Sequence, residues 1–300
     1  MKIIVTGSLG NISKPLTKEL INKGHSVTVV SSNTERQSEI EALGAKAAIG
    51  SMEDVDFLSK TFTGADIVYA MEALNAGVFF DHNVDFIEAN TQIGKNYKEA
   101  FERSGVKKIV HLSSIGAHLP SGNGILAFHY NVEKILNELP QDVSIKFMRP
   151  VGFYYNMYSF IPTIKSQGAI IQNYGGDEKE AWVSPLDIAN AIAEEIEKPF
   201  KGREVRYIAS EEISPNDIAK TLGEAIGNPA LKWLTVPDED VLNGMISAGM
   251  NPKTAKGFVE MNIARGNGVL YEDYYQNRPA LGNVKVKDFA EDFAKAYFNK

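Results

Sequence analysis

Between Lys2 and Met148 the chain alternates short β-branched runs with segments of helical periodicity, and this alternation restricts the fold more than any other feature. Ile3 to Val5, Ser26 to Val30, Ala45 to Ile49, Asp66 to Ala70, Lys108 to Leu112 and Val143 to Met148 read as strands. Their apolar centres suit strands covered on both faces. Helical spacing intervenes at Ile12, Leu16 and Leu20, then over Thr34 to Leu43, Met52 to Phe62, Asn83 to Arg103 and Ile125 to Leu139. Strands separated by helices pair in parallel through right-handed crossovers, which predicts an α/β fold built on a doubly wound parallel sheet of the Rossmann type. Ligands of such sheets bind beyond the carboxyl ends of the strands, so the residues just after each strand are the candidates for function.

The alternation loosens after Pro150. Phe153 to Phe160 is dense in aromatic residues, Asn173 to Asp177 is a turn cluster, and Arg203 to Ala209 is a late strand that could extend the sheet. Ser214 to Ile226, Pro237 to Ser247, Pro252 to Ala264 and Val286 to Phe298 read as helices, several opening at Pro. The expected division is a dinucleotide-binding domain over 1–152, to which 181–210 returns, and a smaller α/β lobe over 153–300.

Cys 0 removes disulfides and thiolate metal sites, and a net charge of −7 offers no general attraction to nucleic acid. No run approaches the roughly 20 apolar residues of a membrane helix, and no targeting segment is visible at the N-terminus. The expectation is a cytoplasmic protein with a small-molecule partner, no metal, and a homodimer left open.

The first strand runs into Thr6-Gly-Ser-Leu-Gly-Asn-Ile-Ser13. A strand, a glycine turn and a helix start seat a pyrophosphate on free backbone N–H groups at the positive end of the helix dipole. Gly7 permits the turn and Gly10 lets the backbone come close, while Ser13 stands where the three-residue fingerprint has a last glycine. At the end of the second strand, Ser31, Ser32 and Asn33 are donors and Arg36 is a cation. No carboxylate stands at the strand tip to take a ribose hydroxyl, which favours NADP(H), with NAD(H) kept open. The same residues also read as a plain helix cap with an exposed arginine.

Ser114 follows the fifth strand, and Tyr130 and Lys134 lie four apart on the next helix. In a hydride-transfer site such a Tyr donates a proton, the Lys lowers its pKa, and the Ser polarises the acceptor. About one Tyr-xxx-Lys pair is expected by chance in a chain of this composition, so its position after strand five carries the argument rather than its existence. His129 is the other candidate proton donor, and His111, inside the strand, reads as structural. Phe79, Phe80, Phe128, Tyr154, Tyr155 and Asn156 could line an apolar slot for a flat acceptor, or could be ordinary packing.

Taken in order, Val5 to Ile12, Ser104 to Ala117, His129 to Leu136, Met148 to Asn156 and Trp182 to Ala189 resemble the NmrA-like branch of the atypical short-chain dehydrogenases/reductases. The resemblance is greatest to the NADPH-dependent quinone reductases of that branch, with azo- and triphenylmethane-dye reductases as relatives. It implies an NADP(H) cleft in which Thr6, Gly7, Leu9, Gly10, Asn11 and Ile12 form the phosphate loop and Ala70 and Met71 pass the ribose. It also implies roles for Asn90 on the long helix, for Pro150, Val151, Gly152 and Phe153 facing the carboxamide, and for Lys134 at the nicotinamide ribose. Ser51, followed by Met52, stands where the family often has an adenine-binding Asp. Some members sense the dinucleotide without turnover. The expected activity is hydride transfer to a conjugated acceptor. A silent NADP(H) sensor is the first alternative and a nucleotide-sugar epimerase or dehydratase the second.

Overall fold

The computed structural model describes residues 1–299. Its strands and helices run β1 (Lys2–Val5), α1 (Ser13–Asn22), β2 (Ser26–Ser31), α2 (Gln37–Ala42), β3 (Lys46–Ile49), α3 (Val55–Phe62), β4 (Ile67–Ala70), α4 (Phe86–Ser104), β5 (Lys108–Leu112), α5 (Ala127–Asn137) and β6 (Ser144–Pro150). They continue with β7 (Gly152–Phe153), α6 (Ile161–Gln167), β8 (Ala169–Gln172), β9 (Glu180–Val183), α7 (Pro185–Glu197), β10 (Arg203–Ile208), β11 (Glu211–Ile213), α8 (Pro215–Ala225), β12 (Lys232–Thr235), α9 (Asp238–Ser247), α10 (Pro252–Gly266), α11 (Glu272–Gln276) and α12 (Val286–Phe298).

Seven strands form one parallel sheet in the order β10-β6-β5-β4-β1-β2-β3. β1 is central, with Ile3 opposite Val27 on one side and Ile67 on the other. Alternate residues of each strand face opposite layers. Ile3 and Val5 join Leu16, Leu20 and Ile192 beneath α1 and α7, whereas Ile4 and Val68 join Leu58, Ile93 and Val132 beneath α3, α4 and α5. The strand order reverses between β1 and β4, which opens the crevice where such sheets take ligands.

Helix starts fall later than periodicity alone predicts, because capping side chains set them. Asp54 accepts from the Phe57 amide at 2.9 Å and starts α3 at Val55. Asp85 accepts from the Ile87 and Glu88 amides at 3.1 and 3.2 Å and starts α4 at Phe86. The predicted helix over Thr34 to Leu43 divides into a 3-10 turn, Thr34–Arg36, and α2.

The remainder forms a lobe with its own core of Tyr154, Trp182, Trp233 and Phe293. It contains the small sheet β11-β9-β7 and the parallel pair β12-β8. α7 and β10 rejoin the large sheet, while β9 stays in the small one. α10 lies on the turn before α5, where Gly124 has φ +55° and a Cβ on it would run into the Gly257 carbonyl oxygen and the Met261 amide. Gly122 has φ +78° but faces open space. Gly122→Ala is therefore expected to cost only the left-handed penalty, about 1–2 kcal/mol. Gly124→Ala should cost a further ~1–3 kcal/mol from overpacking, read as the difference between their denaturant midpoints; equal losses would contradict the contact.

Candidate functional site

The turn after β1 is held from both sides. The Thr6 amide donates to Tyr69 O at 3.1 Å and the Met71 amide to Thr6 Oγ1 at 2.9 Å, so the β1–β4 ladder continues past the strand ends. The chain then reverses through Gly7 at φ +83° and Ser8 at φ +54°. The Gly10 amide returns to Gly7 O at 3.2 Å and the Lys14 amide to Gly10 O at 3.0 Å. The amides of Asn11, Ile12 and Ser13 between them have no protein acceptor among the described residues, and Ile12 caps α1 without a side-chain bond. Open amides at a helix N-terminus are what an anion requires.

Ser13 has a task that its place in the motif did not reveal. Its hydroxyl donates to Thr6 O at 2.8 Å and lies against the Met71 sulfur at 3.7 Å. A Cβ on Gly7 would stand 2.6 Å from that sulfur and 2.7 Å from Ser13 Oγ. Gly7 is thus required by packing as well as by φ, and Ser13 fastens the turn. Leu9 packs onto the core, whereas Gly10 and Asn11 are exposed at the mouth.

A groove of about 250 Å³ opens beside this turn, lined by Gly7, Ser8, Ser31, Ser32, Ser51, Met52 and Asn75 among others. Ser8 donates to Ser31 Oγ at 2.9 Å, and Asn33 caps the 3-10 turn by accepting from the Glu35 amide at 2.8 Å. Arg36 does not stand free for a phosphate: it pairs with Glu39 at 2.6 Å, and Lys14 pairs with the other oxygen of Glu39 at 2.7 Å. Hydrogen bonds from Lys14 and then Arg36 hold the Glu39 carboxyl below the usual carboxylate range. Lys14 and Glu39 escaped the sequence reading because they sit on two helices that meet only in the fold.

Two expected cofactor contacts are turned inward. The Ala70 side chain is fully buried in the core, and Asn90 is buried with its amide donating to Phe86 O at 2.8 Å. Met71, one residue on, reaches the turn after β1. The Pro150–Phe153 segment is wedged: Ile115 donates to Pro150 O at 2.9 Å, Val151 is buried, and Gly152 and Phe153 pair with Trp182 and Val183. Only glycine fits at 152, because Arg265, stacked 4.1 Å over the Trp182 ring and paired with Glu180 at 2.5 Å, occupies the Cβ position.

On α5 the structure separates residues that spacing had grouped. Ser113 rather than Ser114 is engaged, donating to Glu133 at 2.5 Å; Ser114 is half-buried. Glu133 also takes a bidentate pair from Arg149 at 2.9 and 2.6 Å, and Arg149 extends to Asp273 at 3.0 Å and Tyr207 at 3.2 Å. This buried network joins α5, β6, β10 and α11, and no local motif announced it. Tyr130 is half-buried and Lys134 exposed, and neither side chain bonds to another described residue. His129 is desolvated. Burial, and then the charge of His111, push it down to about 3, so near neutral pH it is an uncharged imidazole. Its Nδ1 is buried without a partner. His111 is structural as expected, buried on Glu72 at 2.9 Å.

The six residues expected to line an acceptor slot fall into two groups. Phe128 is buried and Phe79 joins it through Phe86, with ring centroids 5.1 and 5.6 Å apart; Phe80 is exposed. Tyr154 is fully buried on Phe289 in the other lobe, while Tyr155 is exposed beside Tyr158 and Asn156 is exposed. Phe128 and Tyr154 are core residues, because the helices around them need apolar filling. The loop after β4 that bears Phe79 is tied to the α9–α10 turn by Asn251, which donates its amide to Phe79 O and its side chain to Asp81 O, both at 2.9 Å, and by a Lys253–Asp85 ion pair.

The sequence profile of the NmrA-like family matches residues 1–279. The chain belongs to that family. Among NmrA-like and related proteins of known activity, an NAD(P)H azoreductase of Xenophilus azovorans is 22% identical over 98% of this chain and 97% of its own length. An NADPH-dependent quinone oxidoreductase of Escherichia coli, solved with NADPH, superposes with a TM-score of 0.80 at 18% identity over 97% of this chain and 99% of that one. A Citrobacter triphenylmethane reductase superposes at 0.77 and 18%, over 98% and 100%. At these identities the superpositions speak for the fold. Among the described residues no helix is long and apolar enough to cross a membrane, and no His, Asp and Glu cluster could hold a metal.

The low pKa of His129 has a consequence for stability. The unfolded histidine binds a proton below its ordinary pKa near 6.5, while the native one stays neutral until about 3, so stability falls as pH drops through that window. Between pH 6 and 4 the wild type should lose up to about 1.4 kcal/mol per pH unit more than His129→Phe, measured by urea unfolding. Parallel slopes would refute a neutral His129.

Proposed function

We propose that this protein is an NADPH-dependent reductase that delivers a hydride to a flat, conjugated small molecule such as a quinone or an azo or triphenylmethane compound. The observation that carries the reading is the turn at Gly7 to Ser13, with open amides beside a groove lined by Ser8, Ser31, Ser32 and Ser51. Its residues fit a phosphorylated dinucleotide. The amides and helix dipole face a diphosphate and the hydroxyls of the β2 tip face a ribose, while Arg36 and Lys14 would have to turn from Glu39 to meet a 2′-phosphate. Bound there, NADPH would supply the hydride. The chain's own part is to position the acceptor and exclude water, through the α9–α10 segment clamped over the loop after β4.

The fate of the acceptor's proton separates mechanisms. Tyr130, whose hydroxyl has no partner among the described residues, is our candidate on α5 to donate to an acceptor oxygen, with Lys134 one turn on and Glu133 committed to Arg149. A quinone needs alignment more than proton donation, whereas a ketone needs both. Tyr130→Phe is therefore expected to change kcat/KM on a quinone by less than about threefold and to lower it on a ketone by about 100-fold or more. A large loss on both acceptors would overturn the positioning view. Saturable NADPH binding with no turnover across a quinone and dye panel would place the chain among dinucleotide sensors instead.

Cofactor choice is tested at the β2 tip. Arg36→Ser is expected to weaken NADPH by about tenfold, roughly one charge-assisted contact, and to leave NADH nearly unchanged. Tighter binding of NADH than NADPH by the wild-type protein would refute the assignment.

A further inference from the structure

We propose that Met52 and Met71 are sites of reversible oxidation by hydroperoxides, and that their sulfoxides close the groove to its dinucleotide; this rests on the cofactor reading above. The chain has Cys 0 and Met 8, so thioethers are its only oxidisable sulfur. They are not equivalent. Met148 and Met157 are fully buried in cores, Met1 is exposed and Met245, Met250 and Met261 are half-buried elsewhere, whereas Met52 and Met71 are half-buried at the groove and at the turn after β1, where oxidation would meet the cofactor.

Both sulfurs are met by hydroxyl donors. Met71 Sδ lies 3.7 Å from Ser13 Oγ and 3.6 Å from Tyr69 OH, and Met52 Sδ lies 2.8 Å from Tyr97 OH. A thioether is a weak acceptor and a sulfoxide oxygen a strong one, so Tyr69 at Met71 and Tyr97 at Met52 would be drawn to the new oxygen, while the Ser13 proton stays on the Thr6 carbonyl. Tyr69 and Tyr97 are fully buried, and burial raises both phenols, which keeps them protonated as donors. Tyr97 has a second duty: the same hydroxyl lies 2.8 Å from Met71 O. It has one proton, so a sulfoxide at Met52 would draw that proton away and loosen the segment after β4. At Met71 the obstacle is steric. Its sulfur fills the space beside Gly7, where a Cβ would come within 2.6 Å, so an oxygen added on that side would have to move the turn.

The chemistry balances with a hydroperoxide as oxidant. A sulfur lone pair attacks the terminal peroxide oxygen, the O–O bond breaks, and the proton passes to the departing oxygen. The thioether is oxidised to the sulfoxide by two electrons as the peroxide is reduced to an alcohol, or to water. Methionine sulfoxide reductases reverse the product, one enzyme for each epimer.

The test is an NADPH titration of the full-length protein before and after hydrogen peroxide, with peptide mass mapping of every methionine. The expected result is sulfoxide at Met52 and Met71, a rise in the NADPH Kd of at least about tenfold, protection of both residues when NADPH is present during exposure, and recovery after treatment with both reductases. The Met52→Leu/Met71→Leu variant, compared only with itself before and after peroxide, should keep its affinity whatever its starting value. An unchanged Kd with both sulfoxides formed overturns the proposal, as does oxidation confined to other methionines or an equal loss in the double variant. Absence of NADPH binding before any peroxide overturns the cofactor reading, and this proposal with it.

Discussion

The structure depends on how β1 ends. A parallel strand at the centre of a sheet has its last amides and carbonyls exposed between two neighbours, and they must be paired or turned towards a ligand. Here Thr6 pairs with Tyr69 and Met71 on the β4 side, and Ser8 donates to Val30 O at 3.0 Å on the β2 side. With both edges secured, the chain can reverse through two left-handed residues and leave the first amides of α1 open. Ser13 and Met71 fill the space under the turn. A position with a larger side chain than the usual glycine thereby fits without loss of the turn, because its hydroxyl finds the Thr6 carbonyl.

The second constraint is electrostatic. Glu133, Arg149 and their neighbours are removed from water at the carboxyl ends of β5 and β6, and burying charge is costly unless each group is paired. Arg149 meets Glu133 in two bonds and then reaches Asp273 and Tyr207, so one guanidinium serves elements from Glu133 to Asp273 in sequence, and Glu133 adds Ser113. The commitment of Glu133 to this network orients α5. It fixes which residues of that helix face the core and leaves Tyr130 and Lys134 without protein partners. The Arg265–Glu180 pair acts in a similar way in the second lobe, pinning α10 onto the sheet that contains Gly152.

Seven strands of the large sheet were legible: the central ones because burial on both faces leaves a continuous apolar record, the edge strands at Lys46 and Arg203 from their spacing after a helix. The small sheet was not. Its strands, Gly152–Phe153, Glu180–Val183 and Glu211–Ile213, are two to four residues long and pair across stretches of chain that share no local pattern. Helix α5 illustrates the same limit at the level of chemistry. Spacing placed Tyr130 and Lys134 on one face, but it could not tell that His129 is desolvated beside His111, or that Glu133, between the two candidates, is the residue the fold uses.

The sequence by itself determined the parallel architecture and the place of the glycine turn after β1, since both are written in local periodicity and in glycine positions that backbone sterics enforce. Tertiary structure alone decided protonation, pairing and reach. It made His129 neutral, gave Arg36 and Lys14 a shared carboxylate, drew Ala70 and Asn90 inward, and set two methionine sulfurs against the groove. The reason is that a side chain's charge and accessibility depend on what lies within a few ångströms of it. In a doubly wound fold those neighbours come from strands and helices far apart in the chain.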